Sequence, residues 1–383
     1  MEQILVAAAL LGLCCLLLRA EGLFPPGGGG RTGLLLALLI AFAVRMLLLD
    51  RCSCAHEDAA LSAIAFFRGA GGFWGIRSCR EAFSVPVQYV LALCAFVRTG
   101  SLHIYKYFCF FADVVLAWGC QRCVSALTVK DAPRRGVFLL TLLLPSLLLH
   151  GCAGTDGSLR WVFPALAAAA ALHGEYRLCA AMLGLSAAFA PQVVWLIPVF
   201  WVFPALRQNT ARALPWLLVS YFLILLPALL LGRPASLTFP LWPPLSLRGT
   251  PGLNTLPFLS LSAPPGVGIY AVLAALTVFR LSGRDAVYDR RRQLGGVCLS
   301  VMGMSALLPG GAWALWGGEA LVLALCFLDP AAIPAALCAL FAAALSIVTE
   351  LFPGLVPLSL WWAAAAQLAA MVLLLGYVLL KKR

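Results

Sequence analysis

Leu34-Leu35-Leu36-Ala37-Leu38-Leu39-Ile40-Ala41-Phe42-Ala43-Val44-Arg45-Met46-Leu47-Leu48-Leu49 is apolar but for Arg45. It runs straight into Asp50-Arg51-Cys52-Ser53-Cys54-Ala55-His56-Glu57-Asp58. A run of this length reads as a membrane helix, because a bilayer core asks for about 20 apolar residues. The longest polar stretch near the front of the chain begins at its end, and passes through Phe66-Phe67-Arg68, Phe73-Trp74-Gly75, Arg77, Arg80 and Glu81 to Val85. Charges beside a membrane are tolerated where they lie in water or line a cavity, so a function is expected in this stretch.

The same alternation continues outward in both directions. Of 383 residues 63% are hydrophobic and only 11% are charged, with a mean hydropathy of +0.97. A soluble chain cannot cover its surface with that balance. The expected fold is all-α, a polytopic membrane protein with about 11–13 transmembrane helices. Residues 1–18 form a first apolar run ending at Arg19; Glu2 in place of a basic front favours a span over a cleaved signal peptide. Leu23 to Gly30 reads as a flexible connector, so 1–31 is an extra span with a Gly-rich linker and 32–383 one transmembrane domain. Within that domain, 50–85 is the first large loop and 232–265 the second. Pro191 and Pro198 break the run Leu178–Phe203 into half-length helices.

The net charge of +12 has a topological reading: basic residues collect in cytoplasmic loops. Lys130–Arg135, Arg207–Arg212, Arg284–Arg292 and the tail Lys381-Lys382-Arg383 belong on that side. No basic block carries interleaved aromatics, so nucleic acid is not an expected partner. The loops at Asp156, Gly232–Pro265, Pro309–Gly317 and Glu350–Val356 then face the opposite side. For Asp58 and Asp156 to share that side, one of the three apolar runs between them must fail to cross, and Pro86–Val97 is too short to do so.

Several residues carry chemistry. Asp58, beside His56 and Glu57, is a general base or a solvated loop carboxylate. Asp113, inside an apolar run, must pair or face a polar cavity, with Lys106 or Arg45 as partner. Asp156 precedes Ser158 in a Gly-rich turn and reads first as a helix cap. Glu319, read as opening a span, is a helix N-terminal charge or a headgroup contact. Cys120-x-x-Cys123 has no second pair to complete a zinc site, so buried thiols and no metal are expected. Cys52, Cys54, Cys79 and Cys152 share the non-cytoplasmic side, where one disulfide could form with its pairing unassigned. No cofactor motif is present, and neither a Walker loop, G-x-S-x-G nor H-E-x-x-H occurs.

A first span ending in Arg, a large loop, a mid-membrane Asp113 and a short acidic second loop together resemble the GT-C superfamily of polytopic glycosyltransferases, some of whose relatives lack catalysis. Two branches fit. Phe189-Ala190-Pro191-Gln192 with Pro198 resembles the Phe-Lys-Pro-Gln segment of bacterial mannosyltransferases, with Ala190 replacing the lysine. Gly154-Thr155-Asp156 is a faint likeness of their Trp-Gly-Gln-x-Asp motif, and Gly311-Ala312-Trp313-Ala314 stands where they carry His-Glu-Arg-Tyr. That branch implies a transferase using polyprenyl-phosphate sugars, with Asp58 as base and Asp156 as its second acidic residue.

The other branch is the U-subunit family of GPI transamidases. Ala43-Val44-Arg45 resembles its first span; Ala63–Phe67, Gly69, Trp74-Gly75 and Pro86 resemble its first loop. Leu144-Pro145 through Pro198 keeps its spacing, and Pro309 with Leu315-Trp316 is similar to its second signature. Ser359-Leu360-Trp361-Trp362-Ala363 and the basic tail resemble its last helix, with Ser359 replacing an Asn. This resemblance implies a non-catalytic subunit in the endoplasmic reticulum membrane with its C-terminus cytoplasmic. It would bind the GPI lipid and assemble with a cysteine-protease-type catalytic subunit and other transamidase subunits. The glycolipid-binding residues it implies are Asp113, Trp313, Trp316, Glu319, Ser359, Trp361 and Trp362, with Trp313–Glu319 and Ser359–Trp362 facing a shared lateral cleft. A transporter is the third reading, but no paired repeat of broken helices is evident.

Overall fold

The computed structural model describes residues 28–49, 55–79, 83–234, 263–283, 289–308, 314–351 and 356–380, with Gly12, Arg19 and Thr238 as isolated positions. The run 1–18, apart from Gly12, lies outside the described residues, as do Cys52, Cys54, most of 232–265, Trp313 and the Lys381–Arg383 tail. The described chain is all-helical, without a strand.

Helix α1 (Gly28–Leu48) leads into α2 (Ala55–Gly69), a 3-10 turn (Gly72–Arg77) and α3 (Val85–Ala95). Then come α4 (Ser101–Ser125), α5 (Asp131–Leu142), α6 (Pro145–Cys152), α7 (Gly157–His173) and α8 (Tyr176–Phe189). A 3-10 turn (Pro191–Leu196) and the short α9 (Ile197–Phe200) and α10 (Pro204–Gln208) precede α11 (Thr210–Leu230). The last group is α12 (Ala263–Leu281), α13 (Arg290–Leu307), α14 (Ala314–Leu328), a 3-10 turn (Pro330–Ala332), α15 (Ile333–Leu351) and α16 (Val356–Leu380).

Four described helical segments are long and apolar enough to cross a membrane, or five if α5 and α6, bent by 42°, form one span. The chain is therefore a multi-pass α-helical membrane protein. The bend falls where Pro145 removes a backbone donor and restricts Leu144, and α6 starts afresh from that proline. Pro191 likewise ends α8 at Phe189 and diverts the chain into a 3-10 turn.

Several expected loops are shorter than the sequence implied. Gly28–Gly30 belong to α1, Ala314–Gly317 to α14, and Ala263–Pro265 to α12. The largest correction concerns 50–85. Its described part is the helix α2 and a 3-10 turn, joined through Gly71 and Gly72 at φ of 80° and 72°. Those positive angles suit glycine, which lacks the Cβ that would clash. Ala60, Ala63, Ile64 and Phe67 of α2 bury against Ile76 and Leu91, and the cluster extends to Phe189 and Leu225. Arg233, just beyond α11, donates to the Ile76 carbonyl (2.7 Å) and to Gln88 Oε1 (2.8 Å), which clamps the unit onto α11.

Helix α3 has 11 residues, about 16 Å at helical rise, and falls well short of a bilayer core. Only α4 and the α5–α6 pair remain between α2 and Asp156, which brings both acidic segments to one end. Lys106 joins them: its Nζ lies 3.4 Å from Glu57 Oε2, and Gly154 packs against its aliphatic stem.

The opposite end gathers basic residues. Arg122 pairs with Glu175 (3.7 Å). Arg292 donates to the carbonyls of Val378 (2.6 Å) and Leu379 (3.3 Å), and Arg280 to Leu379 (3.0 Å). Two guanidinium groups thus satisfy the orphan carbonyls at the end of α16 and complement its negative dipole end.

Candidate functional site

The acidic end of the bundle holds the site, and α4 is its axis. The helix carries Lys106 and Asp113 seven residues apart, so both point the same way about two turns apart. Asp113 is fully buried. Its Oδ2 accepts from Arg45 Nη2 at 3.0 Å, and its Oδ1 accepts from the Ser158 hydroxyl. Of the two cations weighed from the sequence, the partner is Arg45. That guanidinium also donates to the Leu142 carbonyl (3.1 Å), freed by the α5–α6 bend, and lies 4.9 Å from the centre of the Phe110 ring. Lys106 instead donates to the Leu49 carbonyl (2.7 Å) at the end of α1.

Asp156 occupies the residue before α7, where a cap was expected, but its side chain accepts no capping bond from the helix. It takes Arg160 instead, at 2.8 Å and 2.6 Å. A guanidinium one turn along offers two charge-assisted bonds where a backbone amide offers one neutral bond, so the cap loses. Gly154 turns the chain between α6 and α7 at φ 71°.

Glu319 lies five residues inside α14 and is 2% exposed, accepting from the Ser146 hydroxyl of α6. Neither of its two expected roles, a helix-start charge or a headgroup contact, matches that burial. One turn before it, Trp316 packs on His150, ring centres 3.6 Å apart. Ser146 and His150 are one turn apart on α6; Trp316 and Glu319 are about one turn apart on α14. Two polar–aromatic pairs therefore meet face to face. The indole Nε1–H of Trp316 is buried and has no hydrogen-bond partner among the described residues.

Glycines let these helices close up. A Cβ on Gly157 of α7 would enter the Trp316 ring, and one on Gly317 of α14 would enter the Trp161 ring of α7. Each helix thus offers a glycine to the other's tryptophan, the small-residue packing that membrane interiors favour.

The remaining expected residues lie elsewhere. Asp58 is exposed in the first turn of α2. Trp361 and Trp362 are 50% and 59% exposed on α16 and face away from the bundle. Ser359 is helical; its side chain, like all of Trp313, lies outside the described part of the structure. The shared cleft expected between Trp313–Glu319 and Ser359–Trp362 is not formed by the described residues, because Trp316 and Glu319 are covered by α6 and α7.

A small pocket lies on the other side of the Arg45–Asp113 pair. Its volume is about 10 Å³, room for a single water, and it is lined by Phe42, Arg45 and Met46 of α1, Lys106 and Phe110 of α4, and Gly151 of α6. Cys120 and Cys123 are buried as thiols, and so are Cys79 and Cys152, the two described members of the set in which a disulfide could form. Among the described residues no group of three His, Cys, Asp or Glu could hold a metal ion.

Sequence reading missed Ser146, His150, Gly151 and the role of Ser158. The signal was present in part: Ser146 and His150 are polar and one turn apart within an otherwise apolar run. No family model matches the chain, and no curated protein matches it.

Proposed function

We propose that the chain is a non-catalytic subunit of a GPI transamidase in the endoplasmic reticulum membrane. It presents the GPI glycolipid to a cysteine-protease-type catalytic subunit, with the basic end of the bundle and the C-terminus cytoplasmic. The supporting observation is the state of the polar end. Its three buried carboxylates are engaged within the chain: Asp113 by Arg45 and Ser158, Asp156 by Arg160, and Glu319 by Ser146. A general base has to reach a substrate proton, whereas Asp113 and Glu319 tie separate helices together and Asp156 is held by an arginine of the helix it precedes. Trp316 adds an aromatic ring packed on His150 between α6 and α14, with its Nε1–H buried and without a partner among the described residues. The outward-facing Trp361 and Trp362 match the aromatic belt at a membrane interface.

The test is a pull-down of the tagged full chain from membranes in a mild detergent. A cysteine-protease-type transamidase and its companion subunits should copurify with it. Recovery of the folded chain without any such partner, from cells in which the transamidase is intact, would remove the reading.

A further inference from the structure

Helices α2 and α3 and the 3-10 turn between them carry an exposed patch that the transamidase role does not explain. One face of α2 is buried through Ala60, Ala63, Ile64 and Phe67, yet Phe66 points outward. Trp74 is 70% exposed and Phe96 is 64% exposed. These rings adjoin one another. The Phe73 and Phe96 ring centres are 5.8 Å apart, a Cβ on Gly72 would stand 2.7 Å from Phe96 Cζ, and one on Gly75 would stand 3.4 Å from Phe66 Cε1. Arg68, Arg77 and Arg98 are exposed in the same unit, and from Ala59 to Arg98 the described residues include no Asp or Glu. An exposed aromatic patch accompanied by one sign of charge marks an interaction surface.

Hydrogen bonds to two spanning helices fix the level of this patch. Phe96 lies just before Ser101, the first residue of α4, and Arg68 Nη2 donates to the Val97 carbonyl (2.8 Å) in the link between them. Trp74 lies just before Ile76, whose carbonyl accepts from Arg233 past the end of α11. The Tyr89 hydroxyl of α3 accepts from the Ala228 amide (3.0 Å) in the last turn of α11. The rings are therefore held where α4 and α11, both long and apolar enough to span, reach their ends. Beside them Leu226 and Leu230 are exposed on α11. Aromatic rings collect at that level of a bilayer, and arginine lays its stem along apolar surface while its head reaches the polar layer.

We propose that the α2–α3 unit lies on the lipid–water interface of the bilayer that α4 and α11 cross. Phe66, Trp74 and Phe96 sit among the headgroups, and Arg77 and Arg98 donate to phospholipid phosphates. The occupant is lipid because the patch is tied to the ends of two spans and borders the exposed apolar side of α11. Helix α3, too short to cross, holds the rings at that depth by packing α2 and its 3-10 turn against α11. Nothing in this contact depends on the transamidase assignment.

The test uses the full chain in phosphatidylcholine nanodiscs with two photoreactive phosphatidylcholines. One carries a diazirine at the headgroup, the other at the end of an acyl chain, and labelled residues are mapped by mass spectrometry. The headgroup probe should label Trp74 and Phe96 at least about threefold more than the chain-end probe, and the preference should reverse at Phe222 in the middle of α11. Arg77→Glu together with Arg98→Glu should lower headgroup labelling of Trp74 about tenfold, as for the loss of a charge-assisted contact. Unchanged chain-end labelling of Phe222 shows that this double variant is folded. The proposal is overturned if Trp74 and Phe96 escape the headgroup probe while the chain-end probe labels Phe222, or if the double variant labels like the unaltered chain. Repeating the labelling in native membranes adds a third outcome. Protection of Trp74 and Phe96 there would also overturn it, by giving the patch to a protein partner.

Discussion

Helices α4 and α11 are of similar length, 25 and 21 residues, and both are apolar enough to span a bilayer. They use that character in opposite ways. The most hydrophobic window of α4 has a mean hydropathy of 1.2 and is 67% buried; that of α11 reaches 2.2 and is 17% buried. In a water-soluble protein the greasier helix would be the core. Here the greasier helix faces outward, with Val219, Phe222, Leu223 and Leu230 exposed, while the less apolar one runs through the centre carrying Lys106 and Asp113. The solvent explains the inversion. Lipid tails are as apolar as leucine, so burying an apolar side chain gains little, and a helix interior is held by close packing and polar bonds. Polar groups can survive at membrane depth only where protein surrounds them.

The largest expected effect breaks the polar core of α4. Asp113→Leu leaves Arg45 buried without its counter-charge, and the chain should lose about 3–5 kcal/mol of stability. Adding Arg45→Met to it should recover most of that loss, since a matched apolar pair no longer strands a charge. Thermal denaturation of the detergent-solubilised proteins reads both, and a double variant no better than the single one contradicts the ion-pair account.

The next effect tests the outer helix from the opposite direction. Leu223→Lys puts a charge on the lipid-facing side of α11, at a cost of about 2.5–3.5 kcal/mol in membrane insertion. A glycosylation-based insertion assay on α11 should show that loss. An unchanged insertion efficiency would mean that this face meets protein or water instead of lipid.

The smallest effect probes the close approach around the core. Gly317→Ala drives a methyl into the Trp161 ring and should cost about 1–3 kcal/mol by overpacking. Trimming the tryptophan at the same time, as Gly317→Ala with Trp161→Phe, should give back part of that cost in the same denaturation measurement. Additive losses would separate the two residues and sink the proposed interlock of α7 and α14.

The fold class was legible because membrane helices announce themselves by composition. The break at Pro191 and the shortness of the Pro86–Val97 helix were legible for the same local reason: proline chemistry and the length of an apolar run are properties of the segment alone. The site was legible only in part. Asp113 in an apolar run demanded a partner, and Arg45 was one of two named. Asp156 misled, because a cap is inferred from the residue before a helix, while the competing Arg160 wins through charge.

By itself the sequence determined what each segment must do about water. It set which stretches are apolar, which carry charge and where proline breaks them, since hydropathy, charge and proline act through a few neighbouring residues. Tertiary structure alone decided which polar groups meet: Arg45 with Asp113 across 68 positions, and Ser146 with Glu319 across 173. The physical reason is that a buried polar group is stabilised by whatever partner the packed helices bring within about 3 Å, and sequence spacing does not encode that distance.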